Sequence, residues 1–176
     1  MRSLRLGAIL LFASSVGCAS TRATAPSEIA TPASTSACPT RLVRLTARLA
    51  GTWRARVAPG KQVTESFRAI SGDSALVETY TTSSGRETMT VYHADGGALL
   101  LTHYCAQGNQ PRLQLTSSTD DDYVFRFRDA TNVLPGQSCL VEKRLHFTGD
   151  ALAQTEIYRA PDGTTETTEL VFSRIP

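Results

Sequence analysis

The rhythm of apolar positions changes at Gly51. Before it, Leu42, Leu45 and Leu49 recur at helical spacing between Pro39 and Ala50, and a proline suits the first turn of a helix. One short amphipathic helix is therefore expected there. After it, runs of five to nine residues rich in Val, Thr, Tyr and Phe are separated by turn signals, the mark of an antiparallel all-β domain. The signals are Ala58-Pro59-Gly60, Ser71-Gly72-Asp73, Ser83-Ser84-Gly85, Asp95-Gly96-Gly97, Gly108-Asn109, Asp120-Asp121-Asp122, Leu134-Pro135-Gly136, Gly149-Asp150 and Pro161-Asp162-Gly163. Nine turns imply about ten strands.

Alternation inside the runs separates a dry face from a wet one. Leu113 and Leu115 share a face; Tyr123, Phe125 and Phe127 lie opposite Arg126 and Arg128; Val141, Leu145 and Phe147 lie opposite Glu142, Arg144 and His146. Short antiparallel strands joined by tight turns suit an up-and-down meander, and closing it into a barrel removes the exposed edges. About ten strands make a barrel wider than the roughly eight whose side chains just fill the middle, so an internal cavity is expected.

The first residues read as an address. Arg2 and Arg5 precede an uncharged twelve-residue run, Leu6 to Gly17, too short for the roughly 20 apolar residues of a spanning helix but suited to a secretory signal. Ser15-Val16-Gly17-Cys18 then resembles the bacterial lipobox, with Ser15 where leucine is usual. The resemblance implies a signal peptide over 1–17 and a diacylglycerol on Cys18, and two or three acyl chains hold a protein on a membrane durably. Ala19 follows Cys18, the pattern that in enterobacterial lipoproteins goes with the periplasmic face of the outer membrane. Residues 18–37 are nearly all Ala, Ser, Thr and Pro, with no aromatic residue. They cannot repay the entropy of ordering and read as a tether for a domain spanning 38–176.

Charge narrows the partners. The formal charge is +2, and removing Arg2 and Arg5 with the signal leaves as many basic residues as acidic ones. No basic field remains to hold nucleic acid. Cys38, Cys105 and Cys139 would face an oxidising compartment, where they allow one bridge and one leftover thiol. Cys105 with Cys139 is the preferred pair, since both fall inside the folded region and Cys38 sits at its edge. No Cys-x-x-Cys is present, so neither a redox motif nor a zinc ribbon is indicated.

Gly51-Thr52-Trp53 at the first strand, with Arg174 near the end of the last, resembles the Gly-x-Trp and closing Arg of lipocalin-type barrels. There the guanidinium packs over the indole as a structural plug, an interaction worth about 0.5–2 kcal/mol. Over most of the domain, Ser74 to Thr79, Met89 to Gly96, Leu101-Thr102-His103-Tyr104-Cys105, Gly108-Asn109-Gln110-Pro111-Arg112 and Asp129 to Asn132 are similar to a bacterial family of lipocalin-like domains. Members of that family often carry His-x-His where this chain has Cys139-Leu140-Val141, so a histidine pair able to hold a metal or ligand is missing. The wider group resembles nitrobindin-like haem barrels, which need a histidine on a late strand. The last histidine here is His146, ahead of the final strands, so neither haem nor any other cofactor is expected.

His93, His103, Tyr104 and Arg112 crowd successive strands and, with Phe125 and Phe127 on the dry face, are the candidate ligand-binding residues. Period-two geometry sets His103 and Cys105 on one face and Thr102 and Tyr104 on the other, so they cannot all point inward. Glu65, Glu78 and Glu156 would supply a general acid or base only if two of them met in the cavity. Gly-x-Ser-x-Gly, phosphate-loop, dinucleotide and His-Glu-x-x-His motifs are absent, and Asp120 to Asp122 reads as a solvated hairpin turn. The expectation is an envelope lipoprotein whose barrel binds a small, largely apolar molecule. The alternatives are an enzyme using His103, Tyr104 and Arg112 at the barrel mouth, and a structural lipoprotein with no small ligand.

Overall fold

The computed structural model describes residues 37–176; the expected signal peptide, Cys18 and the tether up to residue 36 lie outside them. One helix, α1 (Ala37–Leu49), precedes ten strands: β1 (Gly51–Ala58), β2 (Lys61–Ile70), β3 (Ala75–Thr82), β4 (Glu87–Asp95), β5 (Ala98–Tyr104), β6 (Gln110–Ser118), β7 (Asp122–Thr131), β8 (Cys139–Thr148), β9 (Ala151–Arg159) and β10 (Thr165–Ile175). Every link between strands falls on one of the turn signals read from the sequence. Each strand pairs antiparallel with its chain neighbours, and β1 meets β10 through Thr52↔Ile175, Trp53↔Arg174 and Arg54↔Ser173. The sheet is a closed barrel.

An up-and-down barrel places its turns alternately at two ends, and here the ends differ. At one end lie the β2–β3, β4–β5, β6–β7 and β8–β9 turns, and α1 covers it, packing against β2 to β5. Leu42, Leu45 and Leu49 are buried while Val43, off their stripe, stays exposed. Arg48 reaches across to the Asp120 carbonyl and Asp121 carboxylate, both at 3.1 Å, and its guanidinium lies 4.4 Å from the Phe147 ring centroid.

The seam between first and last strands is fixed at this covered end. The Arg174 guanidinium stacks 4.2 Å from the Trp53 ring centroid and donates to the carbonyls of Ala50 and Arg48, while the Trp53 indole N–H donates to Leu49 O at 2.7 Å. Gly51 makes this approach possible. Its φ of +116° suits only glycine, and a Cβ there would stand 2.9 Å from Arg174 Nη1.

The interior is stratified along the barrel axis. Nearest the covered end, Trp53, Phe67, Leu76, Tyr92, Leu99, Leu101, Tyr123, Phe125, Leu145, Phe147, Leu152 and Phe172 form a buried apolar layer. One inward position further toward the other end, β2 presents Glu65, β3 Glu78, β4 Thr90, β5 His103, β8 Lys143 and β9 Gln154. Six strands thus turn polar at one level.

Replacing Arg174 with alanine removes the ring stacking and two hydrogen bonds to otherwise orphaned helix-end carbonyls. Chemical denaturation is expected to show a loss of about 1–3 kcal/mol; a loss below about 0.3 kcal/mol would mean that the seam does not depend on this contact.

Candidate functional site

The polar layer is a connected network around one buried ammonium. Lys143, with no solvent exposure, donates to Glu78 Oε1 at 2.8 Å, Glu78 Oε2 at 2.9 Å and Glu156 Oε1 at 3.1 Å, which uses its three protons. Tyr92 OH donates to Glu78 Oε2 at 2.6 Å, and Thr90 Oγ1 to Glu78 Oε1 at 3.4 Å. Thr90 Oγ1 is also 3.0 Å from His103 Nδ1, and Tyr158 OH lies 3.4 Å from His103 Nε2 and donates to Glu156 Oε2 at 3.3 Å. Gln154 Nε2 donates to Glu65 Oε1 at 2.8 Å.

Three carboxyl groups around one lysine cannot all ionise cheaply, and the surroundings divide them. Burial, with the Glu78 carboxylate close by, pushes the Glu65 carboxyl well above the ordinary range and holds it neutral. Burial is the largest single influence on Glu156, but the Lys143 ammonium, the His103 ring and the hydrogen bonds from Lys143 and Tyr158 together outweigh it and keep this carboxylate below its usual value. On Lys143 itself burial is overcome by Glu78 and its neighbours, so the ammonium stays charged. Burial lowers the His103 pKa, leaving a neutral imidazole, and raises that of the Tyr158 hydroxyl.

Neutral Glu65 closes a gap in the hydrogen-bond account. Its Oε2 and the Oε1 of Gln154 are two buried oxygens without a partner, and two acceptors cannot bond each other. A proton on Glu65 turns Oε2 into a donor, and with Gln154 Nε2 already bonded to Oε1 the Gln154 carbonyl is the acceptor on the same partner.

Above the network the barrel is hollow. A chamber of about 360 Å³ is walled by Glu78, Tyr80, His103, Gln154, Glu156 and Tyr158, with Leu170 beside Gln154 and with Cys105, Arg86 and Glu166 nearer the rim. Among the charged members of the network, the side chain of Glu156 is 19% exposed, against 3% for Glu78 and none for Lys143. Glu156 is the more open of the two carboxylates at the chamber floor.

The sequence-derived candidates divide by strand phase. His103 faces the chamber, and Phe125 lies beneath it in the apolar layer, edge-on to Tyr92 at 5.6 Å. The other four do not line it. His93 follows inward Tyr92 and points outward, its Nδ1 3.1 Å from Ala94 O. Tyr104, one residue past His103, is 44% exposed; Arg112 points outward and is clamped to Asp129, with Nη2 to Oδ2 at 2.7 Å. The expected trio of His103, Tyr104 and Arg112 therefore does not converge. Phe127 keeps the phase of Phe125 but is 44% exposed, because β7 parts from β8 beyond the Arg126↔Glu142 pair and leaves the ring in a second, apolar groove with Val133, Leu134 and Val141.

Cys105 and Cys139 are free thiols here, not the expected disulfide. Their segments are nonetheless laced together, Gln107 Nε2 to Ser138 Oγ at 3.0 Å and Gln137 Nε2 to Gln107 O at 2.6 Å. Each cysteine has a different outlook: Cys105 lines the chamber and Cys139 the apolar groove.

Sequence reasoning passed over Lys143, Thr90, Gln154 and Tyr158. The signal for Lys143 was present, since it occupies the inward phase between Val141 and the pair Leu145 and Phe147. Gln154 likewise shares the phase of Leu152, and Thr90 that of Tyr92.

Haem does not fit these residues. His146 is exposed and held by Asp122 at 2.7 Å, and β9 and β10 carry no histidine. His103 is wedged between Thr90 and Tyr158, with a hydroxyl at each ring nitrogen where a metal would bind.

The crystal structure of Rv2717c from M. tuberculosis matches this fold with a TM-score of 0.58 and 17% sequence identity, covering 77% of this chain and 98% of that one. The shared feature is the closed lipocalin-like barrel. No family model matches the sequence, and no curated protein matches it.

Glu65 yields a prediction whose sign is fixed. Its folded pKa is raised, so its contribution to stability is complete below the unfolded carboxyl value of about 4.3 and is lost as pH rises toward the folded value. The Glu65→Gln variant keeps the reciprocal pairing with Gln154 and has no proton to lose. Denaturation across a pH series should show its stability relative to the native chain climbing from pH ~4 upward; a difference that stays flat would show that Glu65 is not held neutral.

Proposed function

We propose that this chain is a small-molecule-binding barrel of the bacterial cell envelope, tethered to a membrane by a lipid on Cys18. The observation that carries the binding half is the chamber of about 360 Å³ with a polar floor and partly apolar walls. Its size lies within the range of sites for compact ligands. The apolar part of a ligand would lie against the rings of Tyr80 and Tyr158 and the side chain of Leu170. A polar end would reach Glu156 and His103. The chamber supports binding over a structural lipoprotein with a packed interior, and the separation of Tyr104 and Arg112 from His103 supports it over an enzyme built on those three residues.

The anchoring half rests on the sequence of residues 1–37. A charged start, a short apolar run, a lipobox-like Ser15-Val16-Gly17-Cys18 and a tether without aromatic residues form a coherent series.

N-phenyl-1-naphthylamine, an apolar probe that fluoresces out of water, is expected to bind the purified protein at one saturable site and to be excluded by Leu170→Trp, which fills the chamber. Unsaturable fluorescence, or full binding by that folded variant, would sink the interior-site reading. Cells fed radiolabelled palmitate should label the native chain but not Cys18→Ser; label on neither would remove the anchor.

A further inference from the structure

Two polar groups of the network face open space at the chamber wall, Glu156 and His103. Thr90 has a single proton, within reach of His103 Nδ1 at 3.0 Å and Glu78 Oε1 at 3.4 Å. Given to His103, it leaves the imidazole proton on Nε2; given to Glu78, it leaves the imidazole proton on Nδ1 and makes Nε2 an acceptor. The hydroxyl nearest Nε2 belongs to Tyr158, at 3.4 Å, and its one proton also faces Glu156 Oε2 at 3.3 Å. His103 is 4% exposed and lines the chamber, so in the Nδ1–H tautomer Nε2 is a buried acceptor that a donor in the chamber can reach.

Charge runs the same way. With Glu65 neutral, the network holds Glu78 and Glu156 against Lys143 alone, a net charge of −1. Glu78 is well supplied with donors and its side chain is only 3% exposed. Glu156 receives one proton of Lys143 and otherwise only the longer contacts of Tyr158 at 3.3 Å and Gln154 at 3.5 Å. The partly met charge and the imidazole thus occupy the same stretch of wall, with the Tyr158 hydroxyl between them.

We infer that the chamber recognises a compact primary amine, whose ammonium donates to Glu156 and to His103 Nε2 while its carbon skeleton lies between Tyr80 and Leu170. This deepens the binding proposal and rests on it. An ammonium supplies both the positive charge and several N–H donors, whereas an alcohol supplies one donor and no charge. A carboxylate supplies neither and meets repulsion from Glu156 at the floor, with Arg86 as its cation at the rim. The aromatic walls add cation–π attraction.

Isothermal titration with 2-phenylethylamine, 2-phenylethanol and phenylacetate, which share a phenyl ring and short chain and differ in the end group, tests the inference on the native protein. The amine is expected to bind at least about tenfold more tightly than the alcohol, the size of one charge-assisted hydrogen bond, and phenylacetate more weakly than either. Folded Glu156→Gln should reduce the amine to the level of the alcohol. If that variant does not fold, the ranking of the three compounds on the native chain decides. An alcohol that binds as well as the amine, a carboxylate that binds best, or none of the three binding while N-phenyl-1-naphthylamine still saturates one site would overturn the amine inference and leave the interior site standing. Failure of the naphthylamine probe as well would remove both.

Discussion

Closure of a ten-strand sheet is the constraint from which the rest follows. Pairing β1 with β10 removes every sheet edge but encloses more width than inward side chains readily fill. The molecule resolves this differently at its two ends. At one, α1 lays three leucines over an aromatic layer and Arg174 locks the seam against Trp53. At the other, no helix among the described residues intrudes, and the width remains as a chamber over a polar floor.

That floor is an unusual use of a barrel interior. A buried ammonium is tolerable only when its protons are all taken and its charge is met, and Lys143 satisfies both conditions through Glu78 and Glu156. Removing one partner of such a pair typically costs about 3–5 kcal/mol, because the other is left charged and dry. The network is therefore a point of vulnerability as much as a source of order. Its use lies in position: Glu156, His103 and Tyr158 are held on rigid strands rather than loops and face the same space, so their acceptors are fixed before any ligand arrives.

The three carboxyl groups show how place sets chemistry. Glu65, far from solvent and next to an amide, stays neutral; Glu78, ringed by donors, is fully occupied; Glu156, at the chamber wall, keeps a charge that is only partly met. Identical side chains have become a hydrogen-bond partner, a structural anchor and a carboxylate open to the chamber.

The strand count, every turn, the helix and the dry face of Leu113, Leu145 and Phe147 were legible in the sequence, because alternation and turn chemistry are local and have a period of two. The same rule set Tyr104 on the face opposite His103 but left open which of the two points inward. Lys143 shares the phase of Leu145, but a charged residue on a dry face has meaning only once its partners are known. Glu78 and Lys143 are 65 positions apart, and what brings them together is the height of each strand along the barrel axis. That height depends on the register of every pair around the sheet and on bulges such as the one between Leu140 and Glu142. Composition and pattern determined a closed barrel with an interior; only the summed registers decided that its polar residues share one level, and so that the interior has a charged floor.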